Sequence, residues 1–374
     1  MKVVQLLPAL NSGGVERGTV DFARALVAAG HESIVISSGG RMVAQLEREG
    51  SRHIAMPIHK KSLASLLQVR PLRRLLGELQ ADILHVRSRV PAWLTYLAWK
   101  KMPAATRPRL VSTAHGLYSI NRYSAIMAKS EQVIAISECV RDYLQENYPK
   151  DLQRPPVVVY RGVDTGEFFP ELQLPQGWLD NTCAEFPPLR GKRWLLLPGR
   201  LTRWKGQEDF IDLIARLGDK YTDIQGVILG GSEPNKAHYE EELKQRVRHL
   251  GIEDRVTFVG HRGDIRYWYK QSALVLNLSQ RPEPFGRTVI EAAAIGTPVA
   301  GYDIGGPAES LRACFPRGLV DKSDSDALLE TVCRLLEKST AKAQLTPEFT
   351  LERQAQHTIE IYRSLLAERE ALGD

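Results

Sequence analysis

Two glutamates eight residues apart, Glu283 and Glu291, enclose a short loop and the start of an Ala-rich helix. Gly286 between them lets the backbone approach a ligand closely. The N–H groups at a helix start form an anion site suited to phosphate. A carboxylate in the first helical turns can accept two hydroxyl bonds from a sugar such as ribose. The element predicts a site for a phosphorylated sugar, and the alternative is two surface glutamates around a helix cap.

A basic turn, residues 198–206, follows an apolar strand and precedes another helix. Arg200 and Lys205 in this turn can converge on the same phosphates. Two cations would neutralise the charge that develops on a departing nucleoside diphosphate. Because they could do so without a divalent ion, we expect no bound metal. The alternative is a basic turn packed on the surface.

Two weaker motifs lie in the first half of the chain. Gly13 and Gly14 form a double glycine at the first strand-to-helix turn, which permits close approach to a diphosphate or a sugar. The turn lacks the Gly-x-Gly-x-x-Gly pattern of nicotinamide sites. His115 precedes a glycine at a strand end, where an imidazole could bond a sugar hydroxyl or an acceptor. Each motif alone also fits a structural role.

Short β-branched runs alternate with helical stretches throughout, which predicts parallel sheets covered on both faces. We expect two Rossmann-like, doubly wound α/β domains that face each other across a cleft, with ligands at the carboxyl ends of the strands. The strands are predicted at residues 2–7, 32–37, 83–86, 109–113, 132–136 and 157–160, then at 194–197, 224–229, 256–258, 274–278 and 298–300. Helices are predicted at residues 14–30, 207–217, 236–250, 288–295 and 350–370.

Together these motifs resemble the family-4 retaining glycosyltransferases of the GT-B fold, over nearly the whole chain. Further matches are the segments 82–85, 135–137, 162–164 and 259–261. The resemblance implies metal-independent transfer of a sugar with retention of anomeric configuration. It also implies front-face attack, in which the leaving phosphate helps to deprotonate the acceptor. We expect no cofactor, because the nucleotide sugar, UDP- or GDP-linked, is the substrate.

The resemblance also assigns roles to individual residues. Glu291 would bind the donor ribose, and Glu283 would lie by the transferred sugar. The residues implied in catalysis are Glu283, His115, Arg200 and Lys205. Those implied in donor binding are Gly14, Arg200, Lys205, Gly260, Arg262, Phe285, Gly286, Arg287, Thr288 and Glu291. Those implied on the acceptor side are Glu16, Arg87 and His115.

The domain boundary is predicted in residues 166–192, which are rich in Pro and Gly and have no clear period. We expect an acceptor-side domain over residues 1–170 and a nucleotide-sugar domain over 190–349. By the resemblance, the helix in 350–374 returns to the first domain.

Two positions depart from the family pattern. Arg87 stands where a second histidine is frequent, and Arg161 stands where asparagine is usual. Both add positive charge on the acceptor side, and residues 1–170 hold 23 Lys and Arg against 14 Asp and Glu. An anionic acceptor, anionic phospholipid or a merely solvated basic face would each account for that charge.

Residues 59–80 are predicted to form a basic, leucine-rich amphipathic helix that is broken near Pro71. Such a stretch can lie on an anionic leaflet, or its leucines can pack on the sheet. Because no run approaches the ~20 apolar residues of a spanning helix, we expect a cytoplasmic protein. The alternative is a cytoplasmic protein that binds peripherally to the inner face of the cytoplasmic membrane. The resemblance implies a glycan or lipid-linked acceptor in lipopolysaccharide or surface-polysaccharide biosynthesis.

Other functions remain open on the sequence. A nucleotide-sugar epimerase would bind the same donor without an acceptor, and a non-catalytic protein would only bind the nucleotide sugar. A nucleic-acid partner is not expected, because the interleaved aromatic and basic residues of such surfaces are missing. The four cysteines lack zinc-site spacing and fit buried thiols.

Overall fold

The chain forms two compact units in its computed structural model, which describes residues 1–11, 13–218, 220–231, 237–322, 324–337 and 342–373. The first unit consists of Met1–Tyr160 with Leu351–Asp374, and the second of Arg161–Thr350. None of the helices described is long and apolar enough to cross a membrane.

In the described part of the first unit, seven strands form one parallel sheet in the order β3-β2-β1-β4-β5-β6-β7. The order reverses between β1 and β4. The strands are β1 (Lys2–Leu6), β2 (Glu32–Ser37), β3 (Arg52–Ala55), β4 (Ile83–Val86), β5 (Arg109–Ala114), β6 (Gln132–Ala135) and β7 (Val157–Val158).

Helices cover both faces of this sheet. One face packs Phe22 and Tyr362 on the sheet, and the other packs Leu72, Leu76 and Trp99. The sheet strands are therefore buried on both sides, as their continuous apolar runs require. The helices are α1 (Gly14–Ala28), α2 (Val43–Arg48), α3 (Val69–Leu79), α4 (Arg89–Trp99), α5 (Glu138–Asn147) and α13 (Leu351–Gly373), with 3₁₀ helices at Leu63–Gln68 and Ser124–Ala128.

The described residues of the second unit give six parallel strands in the order β10-β9-β8-β11-β12-β13. Here the order reverses between β8 and β11. The strands are β8 (Arg193–Pro198), β9 (Ile224–Leu229), β10 (Val256–Gly260), β11 (Leu274–Asn277), β12 (Val299–Tyr302) and β13 (Leu319–Val320). The helices are α6 (Trp178–Glu185), α7 (Gln207–Leu217), α8 (Ala237–His249), α9 (Ile265–Gln271), α10 (Arg287–Ile295), α11 (Gly305–Cys314) and α12 (Ser325–Glu337), with 3₁₀ turns at Pro187–Leu189, Pro316–Gly318 and Pro347–Phe349.

The predicted fold class, two doubly wound parallel α/β domains, is confirmed. The predicted helix 236–250 is present from Ala237, and Lys236 lies outside the described residues. Among the helices that were not predicted individually, α6 lies in the Pro- and Gly-rich stretch. Trp178 anchors that helix, because its indole N–H donates to Asp264 at 2.7 Å and its ring packs against Trp268.

Candidate active site

A nearly buried ion pair joins the two loops at the reversal point of the second sheet. Lys205 lies in the turn between β8 and α7, and Glu283 lies in the loop between β11 and α10. Lys205 Nζ is 2.6 Å from Glu283 Oε2, and their side chains are 17% and 9% exposed. The Ser279 hydroxyl donates to the other carboxylate oxygen. Such a reversal point is where doubly wound sheets bind ligands.

Glycines bring the neighbouring segments against this loop. Gly206 has φ +76°, and a Cβ there would lie 2.1 Å from the carbonyl oxygen of Leu278. A Cβ on Gly305 would lie 2.8 Å from the Glu283 nitrogen, and the Gly306 N–H donates to the Glu283 carbonyl at 2.9 Å. The position of Glu283 therefore depends on close backbone packing from two sides.

Glu291 lies one helical turn inside α10, and both its carboxylate oxygens are engaged. The Tyr269 hydroxyl donates to Oε2 at 3.0 Å, and Arg287 pairs with Oε1 at 2.6 Å. Tyr269 is fully buried, and this burial, with the charge of Glu291, raises the pKa of its hydroxyl well above the usual value. These contacts hold the Glu291 carboxylate in one orientation.

The start of α10 is set by a glycine in the left-handed region. Gly286 has φ +70°, and a Cβ there would lie 2.3 Å from the Pro307 ring. Phe285 is buried, and the Thr288 hydroxyl accepts from the Asn277 amide at 3.0 Å. This stretch therefore presents its backbone, because its side chains are packed or bonded.

Three further predicted donor residues lie near the carboxyl ends of β8 and β10. Arg200 follows β8, and Gly260 ends β10 with φ +69°. Arg262 pairs with Glu185 at 2.5 Å and lies 4.9 Å from the centre of the Phe186 ring. The structure thus directs the Arg262 guanidinium toward α6 and its flank.

In the first unit, the double glycine leads directly into α1. Gly14 is the first helical residue, and Ser12 lies outside the described residues. The carboxylate of Glu16 accepts the Gly13 N–H and so caps its own helix. Glu16, which the resemblance assigned to the acceptor, therefore has a capping contact.

Arg87 is buried at the carboxyl end of β4, next to the reversal point of the first sheet. The residue is 4% exposed, and its Nε donates to the Gln5 amide oxygen at 2.8 Å. The guanidinium lies 5.3 Å from the centre of the Phe22 ring. Burial lowers the pKa of Arg87 to about 10, so the side chain stays charged at neutral pH.

His85 and His115 complete this end of the first sheet. The His85 ring bonds to the Tyr362 hydroxyl at 2.5 Å and to the Thr113 hydroxyl at 2.6 Å. Burial first, then the charges of Arg87 and His115, lower the pKa of His85 well below its usual value. His115 follows β5, and its backbone N–H donates to the Tyr118 hydroxyl at 3.0 Å.

The sequence missed the side chains that support the two glutamates. Tyr269 is 22 residues from Glu291, and no local pattern links them. Ser279 is only four residues from Glu283, so the serine at the end of the apolar strand was the available signal.

Among the described residues, no group of three or more His, Cys, Asp or Glu side chains could hold a metal ion. Two aspartates spaced by one residue, Asp324 and Asp326, lie at the start of α12. Asp324 accepts the N–H of Ala327 at 2.8 Å, and Asp326 pairs with Arg216 at 2.6 Å. This pair therefore has capping and ion-pair contacts.

Two family models match the chain. Glycosyltransferase Family 4 matches residues 12–167, and Glycosyl transferases group 1 matches residues 184–348. Together they span most of both units.

Individual proteins agree with these matches. The lipopolysaccharide core biosynthesis mannosyltransferase LpcC of Rhizobium leguminosarum is 27% identical over 68% of this chain and 69% of its own length. A glycosyltransferase structure from Rickettsia africae superposes with a TM-score of 0.84 at 28% identity, covering 98% of each chain. The structure of Anabaena HepE with UDP and glucose gives 0.71 at 22% identity over 99% of each chain, which shows the fold alone.

Proposed function

Because the chain is a glycosyltransferase that belongs to family 4 and has the GT-B fold, we propose that it transfers a hexose, with retention, from a UDP- or GDP-linked sugar to a lipopolysaccharide-core or other surface glycan. LpcC and a second relative, LpsB of Rhizobium meliloti, are lipopolysaccharide core biosynthesis mannosyltransferases, which supports this acceptor class. HepE, which shares this fold, has also been solved with UDP-glucose, and a nucleotide-sugar donor is proposed here on that analogy.

The Lys205–Glu283 ion pair carries the proposal. Its side chains are largely shielded from water. In such a shielded site, a cation stabilises developing charge more strongly than it does in solvent. The three donor protons of the ammonium allow Lys205 to keep Glu283 and also bind a phosphate oxygen. Arg200, after the same strand, is the second cation of this diphosphate site. With both present, the transfer needs no metal ion.

The remaining donor contacts follow from α10. The fixed carboxylate of Glu291 keeps lone pairs that can accept the two ribose hydroxyls, while Arg287 holds it in place. The backbone from Phe285 to Thr288 faces the sugar and diphosphate, since glycine at 286 permits close approach. Near the base, the backbone of residues 260–262 makes the contact, because the Arg262 side chain is paired with Glu185.

The first unit supplies the acceptor and sugar contacts. Gly14 opens α1, whose N-terminus carries a partial positive charge suited to an anionic group. His115 bonds a sugar hydroxyl. The buried charge of Arg87 favours an anionic acceptor at this edge, and Glu16 acts there mainly by capping α1.

In line with the family resemblance, the proposed mechanism is front-face attack without a carboxylate nucleophile, and Glu283 is held by Lys205 and Ser279. The bond between the anomeric carbon and the leaving phosphate breaks as the acceptor oxygen bonds to that carbon on the same face. The acceptor proton passes to the departing phosphate. Lys205 and Arg200 stabilise the charge on the nucleoside diphosphate during this step.

A thermal-shift screen with UDP, GDP, ADP, CMP and dTDP and their common sugars, run with EDTA, tests the donor site. A ligand at about a hundred times its dissociation constant stabilises the folded state by about 2.7 kcal/mol. We expect one nucleotide family to shift the midpoint with EDTA present. No shift from any nucleotide, with or without magnesium, would overturn the donor site.

A further inference from the structure

Apolar side chains are exposed in one place on the first unit. Of the six large hydrophobic residues that are exposed within the described part of the chain, four lie in two short segments. Three are in the 3₁₀ helix Leu63–Gln68, with Leu63 86%, Leu66 48% and Leu67 74% exposed. The fourth, Ile120, is 66% exposed. We call these four residues the leucine patch.

The two segments of the leucine patch lie side by side. Lys61, just before the 3₁₀ helix, places its ammonium 4.2 Å from the centre of the Tyr123 ring, which follows Ile120. The Trp93 indole of α4 donates to the Tyr123 carbonyl at 2.9 Å, and the 3₁₀ helix also packs on α4. Helix α4 therefore supports both segments.

The leucines of the patch differ from those that follow in α3. Leu72, Leu76 and Leu79 are buried on the sheet, whereas Leu63 and Leu67 are mostly in water. Packing on the sheet therefore explains the apolar face of α3 and leaves the patch without a partner among the described residues. Clustered exposed apolar residues of this kind mark interaction sites more often than single ones.

Only basic charges surround the patch in sequence. Residues 50–77 and 114–130 contain no Asp or Glu. The exposed cations in these two segments are Arg52, Lys60, Lys61, Arg70, Arg73, Arg74 and Arg122, of which Arg74 pairs with Glu78 at 2.9 Å. Apolar side chains ringed by cations match an anionic lipid surface, where acyl chains accept the leucines and headgroups attract the cations.

Both segments of the leucine patch follow strand ends on the edge of the sheet that carries the proposed acceptor residues. The 3₁₀ helix follows the carboxyl end of β3, and Ile120 follows the carboxyl end of β5, five residues after His115. Because all strands of this sheet are parallel, these ends lie on the same edge. A bilayer against the patch would therefore hold lipid-anchored molecules on the side of His115.

We propose that the leucine patch inserts into an anionic bilayer surface and brings a lipid-anchored acceptor to the edge that carries His115. The acceptor part rests on the proposed function, whereas the membrane binding stands apart from catalysis. Each buried leucine should increase the vesicle partition coefficient roughly tenfold. Each basic side chain near the surface should increase it about fivefold.

Vesicle sedimentation tests the binding directly. The full chain is mixed with phosphatidylcholine vesicles that contain about a third phosphatidylglycerol, and with pure phosphatidylcholine vesicles. The variant L63S/L66S/L67S removes three patch residues, and L179S/L250S is the matched control. Leu179 and Leu250 are 38% and 39% exposed in the second unit. A second variant, K60Q/K61Q, removes charge only, with R48Q on α2 as its control.

We expect the wild type to bind the anionic vesicles and the triple variant to bind at least a hundredfold more weakly, with both controls unchanged. K60Q/K61Q should lose affinity at low salt. Circular dichroism and the donor-induced thermal shift should be unchanged in the triple variant. A wrongly assigned donor site would appear as a missing thermal shift in the wild type, independently of vesicle binding. Equal binding by wild type and triple variant, or no binding to anionic vesicles, would overturn the proposal. So would a dimer that the triple substitution dissociates, which would make the patch an interface between copies.

Discussion

Replacing Lys205 by alanine should lower turnover through the loss of a charge at the diphosphate. The Lys205–Glu283 pair, at 2.6 Å, has a Coulomb attraction of about 6 kcal/mol at an effective dielectric constant of about 20, largely offset by desolvation. Removing the lysine leaves a nearly buried carboxylate with only the Ser279 hydroxyl, which should lower the free energy of unfolding by about 2–3 kcal/mol. The folded fraction should still carry a turnover roughly 10²–10³-fold below wild type.

Stability and turnover can be measured apart. Urea unfolding gives the stability of K205A, of the double variant K205A/E283Q, and of the control K220A. Lys220 pairs with Glu337 at 2.8 Å, but both side chains are more than half exposed, so little change is expected. The double variant should regain stability because no unpaired carboxylate remains.

The role of Lys205 is then read from nucleotide binding. In K205A, affinity for a nucleoside diphosphate should fall more than affinity for the same nucleoside, because only the phosphates contact the ammonium. Wild-type turnover in K205A would refute the diphosphate role. Equal losses for diphosphate and nucleoside would reduce Lys205 to a structural partner of Glu283.

Three further outcomes follow from the same contacts. E291Q keeps an acceptor for the buried tyrosine that holds it, and should raise the donor dissociation constant roughly tenfold or more by calorimetry with little change in melting temperature; an unchanged constant would remove Glu291 from the ribose site. G286A should destabilise the second unit more than G251A in urea unfolding. Both glycines have positive φ, but only a Cβ at position 286 would collide with a neighbouring side chain, the Pro307 ring. Equal effects would show that the loop relaxes. Because the folded-state pKa of His85 is lowered, the unfolded chain binds the extra proton, so the free energy of unfolding should fall as pH drops below about 6.5, by up to about 1.4 kcal/mol per pH unit. H85Q should flatten that slope and the exposed-residue control H249Q should not; an unchanged slope in H85Q would assign it to other groups.

Much of the fold could be predicted because alternating apolar runs encode a parallel α/β sheet locally. Strands β3 and β13 were missed. Strand β3 reads Arg-His-Ile-Ala at the edge of its sheet, where burial no longer demands an apolar run, and β13 is only the two residues Leu319–Val320. Helix α6 was missed because Trp178 fixes it through contacts with Asp264, just before α9, and with Trp268 of α9, far along the chain. Such tertiary contacts leave no periodic pattern in the sequence.

The types of residue in the candidate site could be predicted from the sequence, but most of their contacts with one another could not. Glu283 and Lys205 stood out separately, but their pairing across 78 residues needed the adjacency of β8 and β11. The burial of Arg87 was not predictable, because arginine is almost never fully buried unless paired. Its amide and aromatic contacts come from β1 and α1 and are visible only in the fold.

The central claim is sugar transfer from a nucleotide donor without a metal ion. The most direct measurement is acceptor-dependent release of nucleoside diphosphate from the donor that the thermal-shift screen selects, with truncated lipopolysaccharide as acceptor and EDTA present. We predict release that requires the acceptor, persists in EDTA and falls roughly 10²–10³-fold in K205A. Conversion of the donor sugar with no release of nucleoside diphosphate, or release that vanishes with EDTA and returns with magnesium, would contradict the account.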